Sequence, residues 1–259
     1  MADEKILKFE GIFAGYGGGD VLKGVDFDVN HGGVTCIVGP NGSGKSTLLK
    51  AVSGLVKPRL GQIWFKGTPL VGLSPREILK LGIVQVPQNH SLFREMTVEE
   101  NVVLGAFLVK DKKIIAERMD YVRGIFPIVS ERARDKAGSL SGGQQRLVEF
   151  ARCLMLDPEL VVLDEPSMGL DPKTLRLVFE TIQRMNSVGR TVLLVEQNAR
   201  QALKLSHNGV VLENGKVRLK GTGSEVLNNP EIGALYLGGS ISAPSEAPKI
   251  VEGTGTSDG

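Results

Sequence analysis

A glycine-rich segment at residues 39–46, GPNGSGKS, constrains the fold of this chain more than any other feature. It fits the pattern G-x-x-x-x-G-K-[ST], follows an apolar run at residues 33–39 that predicts a buried strand, and leads into a helical pattern at residues 45–53. A loop of this kind turns backbone amides inward around phosphate oxygens, and the N-terminus of the helix adds partial positive charge. The alternative is a glycine-rich turn that only closes a strand onto a helix. The pattern in this context favours an α/β fold with a phosphate-binding site.

Two side chains of this segment carry the predicted phosphate chemistry. Lys45 is expected to reach the β- and γ-phosphates of a bound ATP, and the Ser46 hydroxyl is expected to join the shell of a Mg²⁺ ion. The predicted nucleotide-binding residues of the segment are Gly39, Pro40, Asn41, Gly42, Ser43, Gly44, Lys45, Ser46 and Thr47. ATP and Mg²⁺ are therefore the cofactors that the sequence predicts.

A pair of acidic residues supplies candidates for metal binding and hydrolysis. Asp164 and Glu165 follow an apolar run at residues 160–163, so we expect their carboxylates at the carboxyl end of a buried strand, where open α/β sheets bind ligands. Asp164 suits Mg²⁺, directly or through water. Glu165 suits the orientation of the attacking water, because in-line phosphoryl transfer needs a positioned nucleophile. The alternative is a strand that ends in two solvated acids.

Composition narrows the class of protein. The 259 residues are 41% hydrophobic and 23% charged, which excludes a disordered or fibrous chain, and the formal net charge of +2 does not favour a nucleic-acid partner. The longest apolar runs, such as residues 192–195, fall far short of the roughly 20 residues that span a bilayer. The charged N-terminus lacks the apolar stretch of a secretory signal. Cys36 and Cys153 lie in apolar segments, which favours buried reduced thiols.

A second glycine-rich segment, LSGGQ at residues 140–144, opens a helical pattern and is a second candidate anion site on the same chain. Here the sequence resembles the ABC ATPase family, whose signature motif is LSGGQ, and the resemblance covers roughly residues 5–238. Further matches follow in order along the chain. They are Tyr16 at the aromatic A-loop position, Gln88 at the Q-loop position, and SMGLD at residues 167–171, which matches the D-loop and ends at Asp171.

The resemblance implies an α/β fold, a P-loop NTPase with a mainly parallel core sheet, an antiparallel β subdomain and an inserted α-helical subdomain. The expected parts are an ATPase core with the antiparallel subdomain at residues 1–87 and 158–239, a Q-loop and helical subdomain at residues 88–157, and a disordered tail at residues 240–259.

The same resemblance implies partners and residue roles. Two cassettes of this family pair head to tail, so that the signature residues Ser141, Gly142, Gly143 and Gln144 of one cassette bind the ATP that the other holds. It also implies that Gln88 binds Mg²⁺ and takes part in catalysis. This chain has one phosphate loop and one signature segment, so we expect it to need a second cassette.

One position departs from the family pattern. Where the family has a switch histidine after the strand that follows the D-loop, this chain has Gln197. An amide can donate a hydrogen bond to a γ-phosphate oxygen but cannot become cationic, so we expect Gln197 to be a weak catalytic sensor of that phosphate. The three histidines, His31, His90 and His207, lie in other contexts and are expected at the surface.

Three short segments indicate a narrower class. EQN at residues 196–198, VLENG at residues 211–215 and MTVEENV at residues 96–102 resemble the ATPase subunits of branched-chain, or hydrophobic, amino-acid importers. That class implies a second and different cassette, two permease subunits, a substrate-binding protein outside the cell, and a cytoplasmic position on the inner face of the membrane that depends on the permeases. A urea or amide importer, a lipid or lipopolysaccharide exporter, and a soluble non-transport ABC ATPase are the alternatives.

Overall fold

The structure is a computed structural model that describes residues 4–232. The predicted tail at residues 240–259 lies outside the described residues. Within residues 4–232, no helix is both long enough and apolar enough to span a bilayer.

The described part of the chain contains both strands and helices. The strands are β1 (Lys5–Gly15), β2 (Asp20–Asn30), β3 (Val34–Val38), β4 (Leu60–Phe65), β5 (Thr68–Pro69), β6 (Ile83–Val86), β7 (Leu160–Asp164), β8 (Thr191–Val195), β9 (Asn208–Glu213) and β10 (Lys216–Thr222). The helices are α1 (Lys45–Val52), α2 (Pro75–Lys80), α3 (Val98–Leu104), α4 (Lys112–Ile125), α5 (Ile128–Glu131), α6 (Gly142–Leu154), α7 (Pro172–Ser187), α8 (Ala199–Leu205) and α9 (Gly223–Asn228).

The strands form two sheets. A four-stranded antiparallel sheet has the order β2-β1-β4-β5, and a six-stranded sheet has the order β10-β9-β3-β8-β7-β6. In the larger sheet β10 runs antiparallel to β9, and the other neighbouring strands are parallel. The mainly parallel core sheet and the separate antiparallel sheet that the sequence predicts are therefore confirmed.

Burial of the strands follows the hydrophobic pattern of the sequence. Every residue of β3, β7 and β8 is buried, as expected for apolar runs in a sheet that is covered on both faces. In β2, Val25, Phe27 and Val29 are buried and the residues between them are more exposed, because one face of this strand is turned to solvent. Asn214 and Gly215 have φ of +50° and +80°, and they form a two-residue turn between β9 and β10, as an Asn-Gly pair between two strands favours.

The six-stranded sheet separates two hydrophobic cores. Successive side chains of a strand point to opposite faces, so Cys36 belongs to one core and Ile37 to the other. The Cys36 core includes residues of α3 to α8, and the Ile37 core includes residues of β1, β2, β4 and α1. Helix α1 is therefore held between the two sheets, which fixes the loop that precedes it. Both cysteines are free and buried and the three histidines are exposed, as the sequence predicts.

Capping side chains fix where several helices begin. Ser74 and Thr97 each accept a hydrogen bond from the backbone N–H three residues on, and Glu77 and Glu100 complete the capping boxes of α2 and α3. Asp171 caps α7 by accepting hydrogen bonds from N–H groups of its first turn. The capping residues and their spacing in the sequence therefore match the observed helix starts. Helices α3 to α6 all lie between β6 and β7, so the helical region is inserted between two adjacent strands of the larger sheet.

Candidate nucleotide site

The phosphate loop connects the end of β3 to the start of α1. Glycines provide the left-handed backbone conformations of the loop, with φ of +154° at Gly39, +80° at Gly42 and +105° at Gly44. The Lys45 side chain is buried, and its ammonium donates hydrogen bonds to the carbonyl oxygens of Gly39 at 2.9 Å and Pro40 at 3.1 Å. The loop therefore wraps around the ammonium of its own lysine.

Gly39 is where this loop meets the sheet most closely. A Cβ atom on Gly39 would lie 2.0 Å from the carbonyl oxygen of Leu212 in β9, a backbone atom that moves only if the sheet shifts. We expect Gly39→Ala to lower the free energy of unfolding by roughly 1–3 kcal/mol, measured by chemical denaturation. The matched control is Gly124→Ala in α4, where an added Cβ would meet nothing within 4 Å, so stability should rise by about 0.5–1 kcal/mol. Parental stability of Gly39→Ala would contradict this placement of the loop.

A cavity of about 350 Å³ opens beside the loop. It is lined by Val21, Asn41, Gly42, Gly44, Lys45, Ser46, Thr47, Gln88, Glu165, Met168 and Gln197. The fold therefore brings the phosphate loop, the Q-loop residue, the acid after β7 and the switch position to one place, although they are far apart in sequence. Val21 was not predicted to contribute, and Met168 was predicted only as part of the D-loop segment; the assembled fold places both at the cavity.

The two acids at the end of β7 have different partners. Asp164 Oδ1 accepts a hydrogen bond from the Ser46 hydroxyl at 3.2 Å. Glu165 Oε2 accepts a hydrogen bond from Nε2 of Gln88 at 2.9 Å, and Glu165 Oε1 lies 4.0 Å from the Lys45 ammonium. The residues predicted to bind metal and the residue predicted to orient water therefore lie side by side.

Burial sets the protonation preferences of these groups. Burial raises the pKa of Asp164, and the hydrogen bond from Ser46 only partly offsets this rise. Burial also lowers the pKa of Lys45, against the attraction of the Glu165 and Asp164 carboxylates. The buried Ser43 hydroxyl of the loop has no hydrogen-bond partner among the described residues, although buried polar groups normally find one. Phosphate oxygens and a divalent cation would satisfy these charges and this donor, so the residues fit a metal-bound polyphosphate.

The backbone turns sharply after β7. Glu165 has φ of +44°, a conformation that non-glycine residues rarely adopt, and its N–H donates to the carbonyl oxygen of Val195 at 2.9 Å. This turn directs the Glu165 carboxylate toward Lys45 and Gln88. The apolar run before Glu165 predicts where the acid lies, but nothing in the sequence predicts the left-handed turn.

Glu196 is a buried residue of the site that the sequence reasoning did not single out. Its carboxylate accepts hydrogen bonds from the backbone N–H groups of Ser167 at 2.9 Å, Gln197 at 3.1 Å and Asn198 at 3.4 Å. One carboxylate therefore joins the D-loop to the segment that carries Gln197. Burial raises the pKa of Glu196. The pattern that identifies Glu165, an acid immediately after a fully buried strand, also identifies Glu196.

Tyr16 lies beside α1 but does not line the cavity. Tyr16 is 53% exposed, and the Lys50 ammonium lies 5.6 Å from its ring centroid. Since Lys50 belongs to the helix that starts at the phosphate loop, Tyr16 is near the site without contacting its phosphate end. A role of Tyr16 in nucleotide binding stays a prediction.

The LSGGQ segment caps α6. Ser141 Oγ accepts a hydrogen bond from the Gln144 N–H at 3.3 Å, and Gln144 Oε1 accepts one from the Ser141 N–H at 3.0 Å, which completes a capping box. Ser141 and Gly142 are exposed, Gly143 is buried, and none of these residues lines the cavity at the phosphate loop. Asp171, which caps α7, is also exposed. The chain thus presents two glycine-bearing helix starts at separate places.

A sheet that carries GPNGSGKS between a buried parallel strand and a helix, with an acid pair after another strand of the same sheet, defines a P-loop nucleotide-binding protein. The family model described as ABC transporter matches residues 22–168, which is more than half of the chain. The chain belongs to the ABC transporter family, as one of its ATPase subunits.

Individual relatives agree with this assignment. The chain is similar to the high-affinity branched-chain amino acid transport ATP-binding protein BraG of Pseudomonas aeruginosa, with 41% identity over 90% of this chain and 100% of the relative. The solved ADP conformation of MJ1267, an ATP-binding cassette of an ABC transporter, has a TM-score of 0.82 and 31% identity over 91% of this chain and 99% of that one. A dimeric, post-hydrolysis cassette, MJ0796 bound to ADP and Pi, has a TM-score of 0.73 and 27% identity over 83% and 98%.

Proposed function

We propose that this chain hydrolyses ATP as one of two cassettes that close head to tail around the nucleotide, and so drives a membrane importer of branched-chain, hydrophobic amino acids. The observation that carries the proposal is the separation of its two glycine-bearing helix starts. The phosphate loop at α1 shares a cavity with Gln88 and Glu165, whereas the exposed start of α6 lies outside it. A second cassette can therefore place its own LSGGQ segment over a nucleotide held here.

A few groups of the site bind the phosphates, and others bind the metal ion. Lys45 and the N–H groups of the loop hold the β- and γ-phosphates. Ser46, Gln88 and Asp164 offer oxygen ligands of the kind that Mg²⁺ prefers, and Ser46 and Asp164 are already in contact at 3.2 Å. When bound, Mg²⁺ neutralises charge on the phosphate oxygens. Tyr16, beside α1, offers an aromatic face for the base of the nucleotide.

Glu165 orients the attacking water in this proposal. Its Oε2 is held by Gln88, and its Oε1 faces the Lys45 ammonium. A phosphate that takes up the Lys45 hydrogen bonds leaves Oε1 available to accept a hydrogen bond from water and to align it for in-line attack. Gln197 lines the same cavity, so its amide is available to donate to a γ-phosphate oxygen.

The second cassette completes the site. The N–H groups at the start of α6 carry partial positive charge, which suits the phosphates of the partner's nucleotide. The starts of α6 and α7 lie close together, since a Cβ on Gly143 would approach Thr174 to 1.9 Å, so the D-loop with Asp171 accompanies the signature residues. The dimer of the related cassette MJ0796 supports pairing. ATP that bridges two chains stabilises the closed pair, and hydrolysis releases it.

The helical region offers a surface for the permeases. A groove of about 350 Å³ beside β6, α3 and α6 is lined mainly by apolar residues, and Phe93 and Phe107 at this groove are 57% and 62% exposed. Exposed aromatic residues around an apolar groove are typical of an interaction site. In our proposal a helix of one permease subunit docks here beside Gln88, and the other permease docks on the second cassette, so that closure around ATP moves both. The chain then meets the membrane, on its cytoplasmic face, only through the permeases.

The proposed division of the chain follows from these roles. We assign residues 1–87 and 158–239 to the core that holds the nucleotide, and residues 88–157 to the part that carries the signature segment and the exposed Phe93 and Phe107 of the permease groove. The name of the relative BraG, a branched-chain amino acid transport protein, supports the substrate class. A binding protein outside the cell delivers the amino acid to the permeases, so the transported substrate does not contact this chain.

Affinity purification from detergent-solubilised membranes tests the assembly. Glu165→Gln protein with ATP and Mg²⁺ is expected to retain two permease subunits and a second cassette, because the bridging ATP persists. Phe107→Ser should recover less of the permease subunits and keep ATP binding. Leu177→Ser, which removes a 43% exposed side chain from α7, is the matched control and should keep them. Recovery of ribosomes without membrane subunits would contradict the proposed transport function.

The substrate class is tested separately, by measuring leucine uptake into vesicles reconstituted with the complex.

Gln197 gives a prediction about turnover and its pH dependence. Gln197→Ala is expected to lower ATP turnover of the assembled complex about tenfold, because a hydrogen bond to a charged phosphate oxygen is lost. Gln197→His should add a titration near about pH 6.5 that the parent lacks, because only the imidazole changes charge in that range. Phosphate release measured between about pH 6 and pH 8 checks both variants. Unchanged turnover of Gln197→Ala would remove this residue from the site.

A further inference from the structure

Three side chains of α6 bind the loop that carries Gln88. Arg146, Glu149 and Arg152 recur every third residue, so they lie along one face of the helix. The segment at residues 87–91, which leads away from β6 and forms no helix or strand, lies against this face. The signature residue Ser141 is the N-cap of the same helix.

Arg146 holds the first part of the segment. One of its terminal nitrogens, Nη1, donates to the carbonyl oxygen of Pro87 at 3.0 Å and to Glu149 Oε2 at 2.7 Å. The other, Nη2, donates to the carbonyl oxygen of Gln88 at 2.7 Å. The guanidinium is buried, so water does not compete for these contacts.

Glu149 and Arg152 hold the last part of the segment. Glu149 Oε1 accepts hydrogen bonds from the Ser91 N–H at 2.5 Å and from the Ser91 hydroxyl at 3.2 Å. Arg152 Nη1 donates to the carbonyl oxygen of Ser91 at 2.9 Å. His90 Nδ1 lies 3.6 Å from Glu149 Oε2. Backbone groups at both ends of residues 87–91 are therefore fastened to one face of α6.

Stability alone does not explain this arrangement. A buried ion pair loses hydration on both charges, and a well-packed apolar pair is often at least as stable. Arg146 Nε is also buried without a hydrogen-bond partner among the described residues, which adds to the cost. The fork of an arginine can, however, hold two carbonyl oxygens and a carboxylate at fixed positions, which an apolar side chain cannot do.

We propose that Arg146 and Glu149 are positioning residues that transmit the nucleotide state of this chain from Gln88 to Ser141. The Gln88 side chain contacts Glu165 in the nucleotide cavity, and its backbone carbonyl is bonded to Arg146. A shift of Gln88 toward a bound metal and phosphate therefore also displaces α6. Because a helix moves as a rigid element, this displacement also moves Ser141 at its N-terminus. Occupancy of the chain's own phosphate loop thus orients the surface offered to the partner's nucleotide. This inference rests on the proposed pairing of two cassettes.

The test replaces the ion pair with apolar residues of similar size, Arg146→Met together with Glu149→Leu, because such replacements usually keep a buried site folded. Arg123→Met with Glu99→Leu is the matched control, since it removes a 2.6 Å ion pair between α4 and α3 that does not contact residues 87–91. Arg146→Lys is a second variant, which keeps the charge but loses the planar guanidinium with its several N–H donors.

ATP binding and the hydrogen exchange of the α6 amides are measured in the full chain carrying Glu165→Gln. ATP turnover is measured in the assembled complex with Glu165 intact.

In the chain with both ion pairs intact, ATP with Mg²⁺ is expected to change the exchange of the α6 amides. The double variant at Arg146 and Glu149 should bind ATP within about twofold of that chain but lose this response, and its kcat should fall about tenfold with little change in KM. The control pair should respond as the intact chain does, and Arg146→Lys should fall between them.

Two results would overturn the inference. The first is that the α6 amides do not respond to ATP when both ion pairs are intact. The second is that the double variant keeps both the response and kcat; if the double variant fails to fold, Arg146→Lys takes its place in this comparison. Equal losses in ATP affinity and kcat would also overturn it, because they indicate local damage to the site. Absence of ATP binding by the chain with both ion pairs intact is a different outcome, which contradicts the proposed function itself.

Discussion

Glu165→Gln is expected to lower ATP turnover of the assembled complex about a hundredfold or more while ATP still binds. The amide has the shape of the carboxylate and can still accept the hydrogen bond from Gln88, but it cannot take a proton from water. The variant also removes a negative charge 4.0 Å from the Lys45 ammonium. Since that charge repels phosphate, its removal should not weaken ATP binding. Phosphate release and the amount of ATP that stays bound after gel filtration measure the two effects separately.

The control for this prediction lies at the other end of the same strand. Glu159 immediately precedes β7, is partly exposed and pairs with Lys66 at 2.8 Å, far from the cavity lining. Glu159→Gln should therefore keep parental turnover, because surface ion pairs contribute little. Parental turnover by Glu165→Gln would show that another group orients the water, and lost ATP binding would show that the carboxylate supports the fold of the loop.

Local rules account for the parts of the fold and site that the sequence predicts. The phosphate loop, the capping boxes and the turn at Asn214 and Gly215 each depend on a few neighbouring residues. Continuous apolar runs predict the buried strands β7 and β8, since a strand covered on both faces has no polar face to alternate. The acid pair at residues 164–165 follows from the same reasoning, because it ends one of these runs.

Long-range contacts account for the parts that the sequence does not predict. The order in which β3, β8 and β7 lie side by side, which brings Glu165 to Lys45, depends on packing between segments far apart in the chain. Glu196 gains its role only when β7 and β8 are neighbours, because its carboxylate then reaches Ser167. The Arg146 and Glu149 contacts to the Q-loop are likewise invisible until the helical region folds against β6. Residue type and spacing alone carry no information about these pairs.

Lys45→Met is expected to weaken ATP binding about a hundredfold, because the charge-assisted hydrogen bonds to phosphate are lost while the apolar stem of the side chain is kept. In the chain without nucleotide, the ammonium donates to Gly39 and Pro40 and faces two buried carboxylates. Removing it leaves the Asp164 and Glu165 charges without their nearest buried cation, which further repels an anionic ligand. Titration of ATP in the presence of Mg²⁺ measures the affinity.

Thermal unfolding separates this loss of affinity from damage to the fold. A ligand that binds only the folded chain raises its unfolding temperature by an amount that depends on the ratio of ligand concentration to Kd. ATP at a concentration that stabilises the parent should therefore leave a Lys45→Met variant of about hundredfold weaker affinity almost unchanged. Lys66→Met is the matched control, because its ammonium pairs with Glu159 on the surface and does not line the cavity. That control should keep the full ATP-dependent rise. If Lys45→Met kept the same rise, the backbone N–H groups and the N-terminus of α1 would suffice to bind the phosphates. The role of Lys45 would then be to stabilise the loop conformation.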